Sequence, residues 1–343
     1  MQVATLGKDA AADQRPLPAL VFCAYGGFNA LRQEAAKRML AAMNKLDPLP
    51  REAVFLELVG PGQTPLLDKS DCPGWLDYLR LYGKKRNLNL FQKEALWNLA
   101  AKFTTSASIL FMDADSYPEN CPDWLARLGA ASRPGVLLHP SELLAEEKWG
   151  DDGGDLMYLS SFSKKDLRRL NGAPMYRFPG LGYCLTRTDF TRMDGFNPFA
   201  ITGSGDSVFL KEVLGDQAAA FGFAFRYHNA LVRPQQPKLQ PIALDGVTLR
   251  HCYHGPKAER SYRYSREIVN LFGLSRALCH LDSSGLMAWN DPECWLAQIA
   301  NTHKARMTTR ADFLAMLAET ADQRLAQFEK NEIPYNKELY HHD

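Results

Sequence analysis

Ser108-Ile109-Leu110-Phe111-Met112-Asp113-Ala114-Asp115-Ser116-Tyr117-Pro118 runs from four consecutive apolar residues straight into an Asp-x-Asp triplet. A short unbroken apolar run predicts a strand packed on both faces, and the polar, turn-forming residues behind it predict where that strand ends. Two carboxylates one residue apart at such an edge repel each other unless a cation lies between them. Oxygen ligands that leave positions open for water and phosphate suit Mg²⁺ or Mn²⁺. The plain alternative is a loop or cap aspartate pair, so the rest of the chain has to decide.

Outward from this stretch, strand-like and helix-like segments alternate. Strands are expected at 19–24, 53–59, 108–112 and 135–138, and helices at 29–46, with Asn29 as N-cap, at 90–103 and around Trp124–Leu128. This βαβα order predicts an α/β fold with a mostly parallel sheet flanked by helices. Ligands of such sheets bind beyond the carboxyl ends of the strands, where Tyr25 and Asp113 fall. Further along, strands are expected at 157–160, 182–185 and 220–230, and helices at 186–193, 207–214 and 309–329. The stretch 146–154 has the composition of a charged, glycine-containing connector. The expected organisation is a loose leader over 1–16, one continuous domain over 17–270 and a helical C-terminal extension over 271–343.

Composition excludes several classes. The 343 residues carry a net charge of +1, so no global field recruits nucleic acid or an anionic membrane. No apolar run approaches the about 18 residues of a membrane span, and Met1–Pro16 has no apolar signal core. Seven cysteines at irregular spacing, with no Cys-x-x-Cys pair, argue against a disulfide framework or a zinc ribbon. A reducing cytoplasmic setting is the expectation.

Four segments, in order, resemble the GT-A class of nucleotide-sugar glycosyltransferases, in its family-2-like and galactosyltransferase-like branches. They are the opening strand ending in Ala24-Tyr25, then Phe91-Gln92-Lys93-Glu94-Ala95-Leu96-Trp97-Asn98, then Asp113-Ala114-Asp115, and finally Gly195-Phe196-Asn197 followed by Gly203-Ser204-Gly205-Asp206. The second is similar to the family's Phe-Asn-Arg-x-x-x-x-Asn helix and the fourth to its Gly-Phe-Asp…Gly-Gly-Glu-Asp segment. The resemblance implies a GT-A fold and transfer of a sugar from a nucleotide-diphospho-sugar, a UDP-sugar foremost, to an acceptor hydroxyl with Mn²⁺ or Mg²⁺. It implies metal contact by Asp115, with Asp113 sharing the ion or binding ribose. A late histidine closes the metal site in galactosyltransferase-like members, which points to His254 first and His251 second. The alternative is that these histidines are structural.

Asp206 is the implied base, at the head of a helix whose N-terminus favours a carboxylate. Its alternative is a plain N-cap. The chain departs from the family at Gly205, where an acidic residue usually precedes the aspartate; one carboxylate remains, and inversion at the anomeric carbon is expected. Nucleotide contacts fall to Tyr25, to Glu57 (or else an edge charge), and to Lys93, which stands where the family has an arginine or else is a solvated helix residue. Gly180 and Gly182 would let backbone approach the donor sugar or acceptor, or else are turn glycines without ligand contact. The basic and aromatic stretch 257–266, with Arg260, Arg263 and Arg266 three apart, would hold diphosphate or an anionic acceptor, or is a solvated helix face. Acceptors compatible with this picture are glycan, lipid-linked and nucleic-acid hydroxyls, including hydroxylated bases of phage DNA. The competing classes are a nucleotidyltransferase, against which the loop 24–29 lacks the usual basic residue, and a non-catalytic nucleotide-sugar-binding protein.

Overall fold

A computed structural model describes residues 16–26, 30–87, 90–147, 156–160, 162–163, 176–178, 180–201, 203, 205–215, 231–254 and 279–291. Asn29 and the expected elements at 220–230 and 309–329 lie outside them, as does the basic stretch 257–266. So do 1–15 of the leader and all but Glu146 and Glu147 of the connector.

Fourteen strands are described: β1 (Ala19–Tyr25), β2 (Ala53–Val59), β3 (Asp77–Tyr82), β4 (Ser108–Asp113), β5 (Ser116–Glu119), β6 (Val136–His139), β7 (Leu143–Glu146), β8 (Leu156–Ser160), β9 (Tyr176–Phe178), β10 (Gly182–Thr186), β11 (Gln240–Ala243), β12 (Thr248–His251), β13 (Cys279–Leu281) and β14 (Met287–Trp289). The helices are α1 (Ala30–Met43), α2 (Lys93–Ala100), α3 (Trp124–Ala131), α4 (Arg187–Arg192) and α5 (Gly205–Leu214). The main sheet runs β11-β6-β10-β4-β1-β2-β3, and every neighbouring pair is parallel except the two that β10 makes with β4 and β6. The α/β class with a mostly parallel sheet is as expected.

Side chains of successive residues in β1 and β4 go to opposite faces, and both faces are covered. Leu20, Phe22, Leu110 and Met112 pack with Met39, Leu40 and Met43 of α1 and Trp124 and Leu128 of α3. Val21, Ile109 and Phe111 pack with Leu96 and Trp97 of α2 and Phe209 and Val213 of α5. Ile109, Leu110, Phe111 and Met112 are all fully buried, which explains why no polar residue interrupts them. Each such side chain contributes about 1.5–3 kcal/mol from burial.

A second sheet, β5-β12-β7-β8-β9, extends from the end of β4. Strands β3, β5, β7, β9, β11 and β12 were not expected from the sequence. Each has six residues or fewer, and β3 is only partly buried along its length at the sheet's edge, so none makes the apolar run by which a buried strand is recognised.

Of the expected C-terminal extension over 271–343, only 279–291 is described, and it holds a β13–β14 hairpin. Asp282, Ser284 and Gly285 form its turn, in which Asp282 Oδ1 accepts from the backbone N–H groups of Ser284 and Leu286, and Gly285 takes φ 81°. The hairpin docks on the start of α2, where the Gln92 side-chain amide donates to Met287 O (2.8 Å) and accepts from Met287 N–H (2.9 Å).

Candidate active site

The Asp-x-Asp segment leaves the sheet between two elements. β4 ends at Asp113, in register with Cys23 of β1, and β5 begins at Ser116. β5 pairs antiparallel with β12, which sets His251 directly across from Ser116. The Cys252 N–H then donates to Asp115 O at 2.8 Å. A backbone pairing between segments more than 130 residues apart thus delivers both histidines to one aspartate. His254 Nε2 lies 3.0 Å from Asp115 Oδ2, and His251 Nε2 lies 3.6 Å from Asp115 Oδ1. One ligand atom from each of Asp115, His251 and His254 falls within 4.8 Å of the others. Both histidines are buried, and the Asp115 side chain is 24% exposed, so the group has one open side. Burial pushes the Asp115 carboxyl up, but the two imidazoles outweigh it and hold the group well below the usual carboxylate range.

One carboxylate and two imidazoles fit a first-row transition ion such as Mn²⁺ better than Mg²⁺, which favours an all-oxygen, water-rich shell. Asp113, expected among the metal ligands, is not in this group among the described residues. Its Oδ1 takes Lys93 Nζ at 2.9 Å. The repulsion anticipated between the two aspartates is therefore relieved separately, by an ammonium for one and by imidazoles for the other. The physical reason is the break between β4 and β5, which leaves Asp113 at the end of β4 beside Lys93 and puts Asp115 in the turn that leads to the β5–β12 pairing.

Lys93 is no solvated helix residue. Its side chain is 12% exposed, and Nζ stands 4.6 Å from the Trp97 ring centroid, one turn along α2. Burial alone would lower its pKa; Asp113, Asp206 and Glu94 together raise it well above the usual lysine range. Asp206 lies in the first turn of α5, inside the helix rather than before it as an N-cap would be. A Cβ on Gly180 would stand 2.9 Å from Asp206 Oδ2, so the absence of a side chain at 180 is what admits the carboxylate there. Gly182 has a different reason: its Cβ would stand 2.7 Å from Phe111 O across the β10–β4 pair.

Tyr25 ends β1 half-buried, edge-on to Phe91 at 5.3 Å. Glu57 is neither exposed nor an edge charge. It is buried in β2, where its Oε1 accepts from Leu66 N–H (2.8 Å) and its Oε2 from the Tyr78 hydroxyl. Both oxygens serve to hold the chain that follows β2, and desolvation pushes the carboxyl up.

Two residues of the site were missed from sequence. His139, at the end of β6, is fully buried, and its Nε2 lies 2.9 Å from Gly180 O, which anchors the glycine beside Asp206. Burial lowers its pKa to about 4. Glu94 follows Lys93 on α2 and is buried, with Oε2 lacking a hydrogen-bond partner among the described residues. Burial pushes it up to about 8. A charged residue in an otherwise apolar helical run, Glu94-Ala95-Leu96-Trp97, was the available signal.

No family model matches the chain, and no curated protein matches it. Among solved structures it is similar to Staphylococcus aureus TarS 1-349, at 16% identity and a TM-score of 0.35, in an alignment that spans 57% of this chain and about half, 54%, of that one. It is similar to a mannosyltransferase from Pyrobaculum calidifontis in complex with GDP-Man and Mn²⁺, at 14% identity and a TM-score of 0.37, over 94% and 85% of the two chains. It is also similar to glucosyl-3-phosphoglycerate synthase from Mycobacterium tuberculosis in complex with Mn²⁺, UDP and phosphoglyceric acid, at 12% identity and a TM-score of 0.37, over 76% and 78%.

Proposed function

We propose that the chain is a metal-dependent glycosyltransferase of GT-A type that moves a sugar from a UDP-sugar to an acceptor hydroxyl with inversion. The observation that carries this is the convergence of Asp115, His251 and His254 on one point at the carboxyl end of β4. Two imidazoles beside a partly open carboxylate, next to a lysine-held aspartate and a helix-head aspartate, are the parts that bond cleavage at a sugar diphosphate calls for.

When bound, the cation supplies Lewis-acid stabilisation of the departing diphosphate. Asp115, His251 and His254 would hold it. Asp113, held by Lys93, would bind the ribose, and Tyr25 would offer its ring at the end of the neighbouring strand. The bare backbone of Gly180 admits the Asp206 carboxylate. In the reaction the acceptor oxygen bonds to the anomeric carbon as the carbon–oxygen bond to the diphosphate breaks. The bonding pair leaves with the UDP, and the acceptor's proton passes to the Asp206 carboxylate. A single base and an attacking hydroxyl on the opposite face give inversion. No helix among the described residues is long and apolar enough to cross a membrane, and the acceptor is a glycan, lipid-linked or nucleic-acid hydroxyl.

The test is a thermal-shift and UDP-release screen of UDP-sugars with Mn²⁺, with Mg²⁺ and with chelator. A true donor stabilises the folded state through binding linkage. Mn²⁺-dependent stabilisation with slow UDP release is expected, both lost in Asp115→Ala and His254→Ala. Release of sugar 1-phosphate in place of UDP would indicate attack at the α-phosphorus, as in nucleotidyl transfer. The absence of any Mn²⁺-dependent shift across the panel would overturn the proposal.

A further inference from the structure

At the head of α5, Gly205 is buried and its backbone faces the side chain of Glu94 from α2. A Cβ on Gly205 would lie 1.8 Å from Glu94 Oε1 and 2.3 Å from Glu94 Cδ. The two positions compete for one volume, and the carboxyl of Glu94 fills it. The next residue along α5 is Asp206.

We propose that Glu94 is the second carboxyl of the site, lodged in the notch that Gly205 leaves, and that it is a positioning residue that sets the charge beside Asp206. This rests on Asp206 being the base of the proposed transfer. The acidic group absent beside Asp206 in sequence is thereby present in space, carried by a different helix.

A buried carboxyl oxygen without a hydrogen-bond partner costs about 1–3 kcal/mol to keep, so packing alone gives no reason to retain Glu94 there. Its effect on Asp206 is electrostatic. The titratable groups around Glu94 are Lys93 on α2, Asp206 on α5, Asp113 on β4, Tyr183 on β10 and Cys23 on β1. Of these, Lys93 favours ionised Glu94, and Asp206 and Asp113 oppose it. While Glu94 is neutral, Lys93 offsets one of the two aspartates. Once Glu94 ionises, a further negative charge stands close to Asp206. Glu94 thus sets the charge around the base without touching substrate, and its own titration should be visible in the rate.

The experiment compares pH–rate profiles of UDP release from UDP-glucose and UDP-N-acetylglucosamine with Mn²⁺, from pH 6.5 to 9. The wild-type rate constant should climb about threefold or more across this range. Glu94→Gln, which keeps shape and removes ionisation, should abolish the climb. Gly205→Ala should act like Glu94→Gln, because the new methyl group displaces the carboxyl. Glu94→Ala combined with Gly205→Glu should restore at least part of the climb by returning a carboxyl from α5. A Glu94→Gln profile that matches wild type would overturn the inference. Carbon-13 NMR of side-chain carboxyls reads the same coupling without turnover: the Asp206 resonance, assigned with Asp206→Asn, should show a second inflection that vanishes in Glu94→Gln. If the wild-type chain releases no UDP, the proposed reaction fails while this titration still decides the role of Glu94; an Asp206 resonance with the same inflections in both proteins would overturn it.

Discussion

Glu94→Gln should gain stability relative to the wild-type chain as pH rises from 5 to 9. In the folded protein the Glu94 carboxyl is pushed up to about 8 by burial, against an ordinary value of 4.5. A carboxyl raised on folding is bound to its proton more tightly in the folded state. Its contribution to stability is complete below pH 4.5, declines through the interval and is gone above about pH 8. At about 1.4 kcal/mol for each tenfold change in proton affinity, the full interval corresponds to about 5 kcal/mol. Glutamine cannot ionise and does not share this decline. With a urea m-value of about 3 kcal/mol/M, the midpoints of variant and wild type should separate by roughly 1.5 M more at pH 9 than at pH 5. Comparing the two proteins at each pH cancels the other titrating groups. A separation that is the same at pH 5 and pH 9 would refute the reasoning, since Glu94 would then have the same proton affinity folded and unfolded.

Three other substitutions probe the frame that holds the site. Glu212→Ala should cost about 3–5 kcal/mol in urea unfolding, because it removes a fully buried carboxylate that accepts from Arg233 Nη2 (2.8 Å), Arg233 N–H (2.8 Å) and Asn197 Nδ2 (2.8 Å) and leaves the Arg233 guanidinium without this counter-ion. His139 works in the opposite pH direction to Glu94. Burial holds it at about 4 against an ordinary 6.5, so its contribution is complete above pH 6.5 and is lost as pH falls through 4; wild type should lose about 3 kcal/mol relative to His139→Gln over that window, read by urea midpoints. Gly182→Ala should destabilise by about 1–3 kcal/mol, since its methyl group meets the Phe111 carbonyl of a buried strand rather than a movable side chain; an unchanged melting temperature would contradict the β10–β4 spacing.

The parts of the site that were legible in the sequence are those made within one segment. The apolar run before Asp113 announced a buried strand and its end, and the register of β4 with β1 places Asp113 and Tyr25 at the same rim of the sheet. Asp206 was expected at the head of a helix and lies in its first turn. Other residues changed meaning in three dimensions. Lys93 had two readings in sequence, and only the approach of α2 to β4 pairs it with Asp113. Glu57 was read in sequence as a nucleotide contact or an edge charge, and only the fold of the following chain gives each of its oxygens a donor, Leu66 N–H and the Tyr78 hydroxyl. Strands β5 and β12 are four residues each and carry no apolar run, so nothing local revealed the pairing that brings the histidines in.

By itself, then, the sequence determined the α/β class, the buried central strands and the chemistry available at their ends. Those features follow from apolar periodicity and turn residues, which act over a few positions along the chain. The tertiary structure alone decided which charges meet: Asp113 with Lys93, Asp115 with His251 and His254, and Glu94 in the hollow beside Gly205. Interactions between charges depend on distance and burial in space, and neither is written in the separation of residues along a chain.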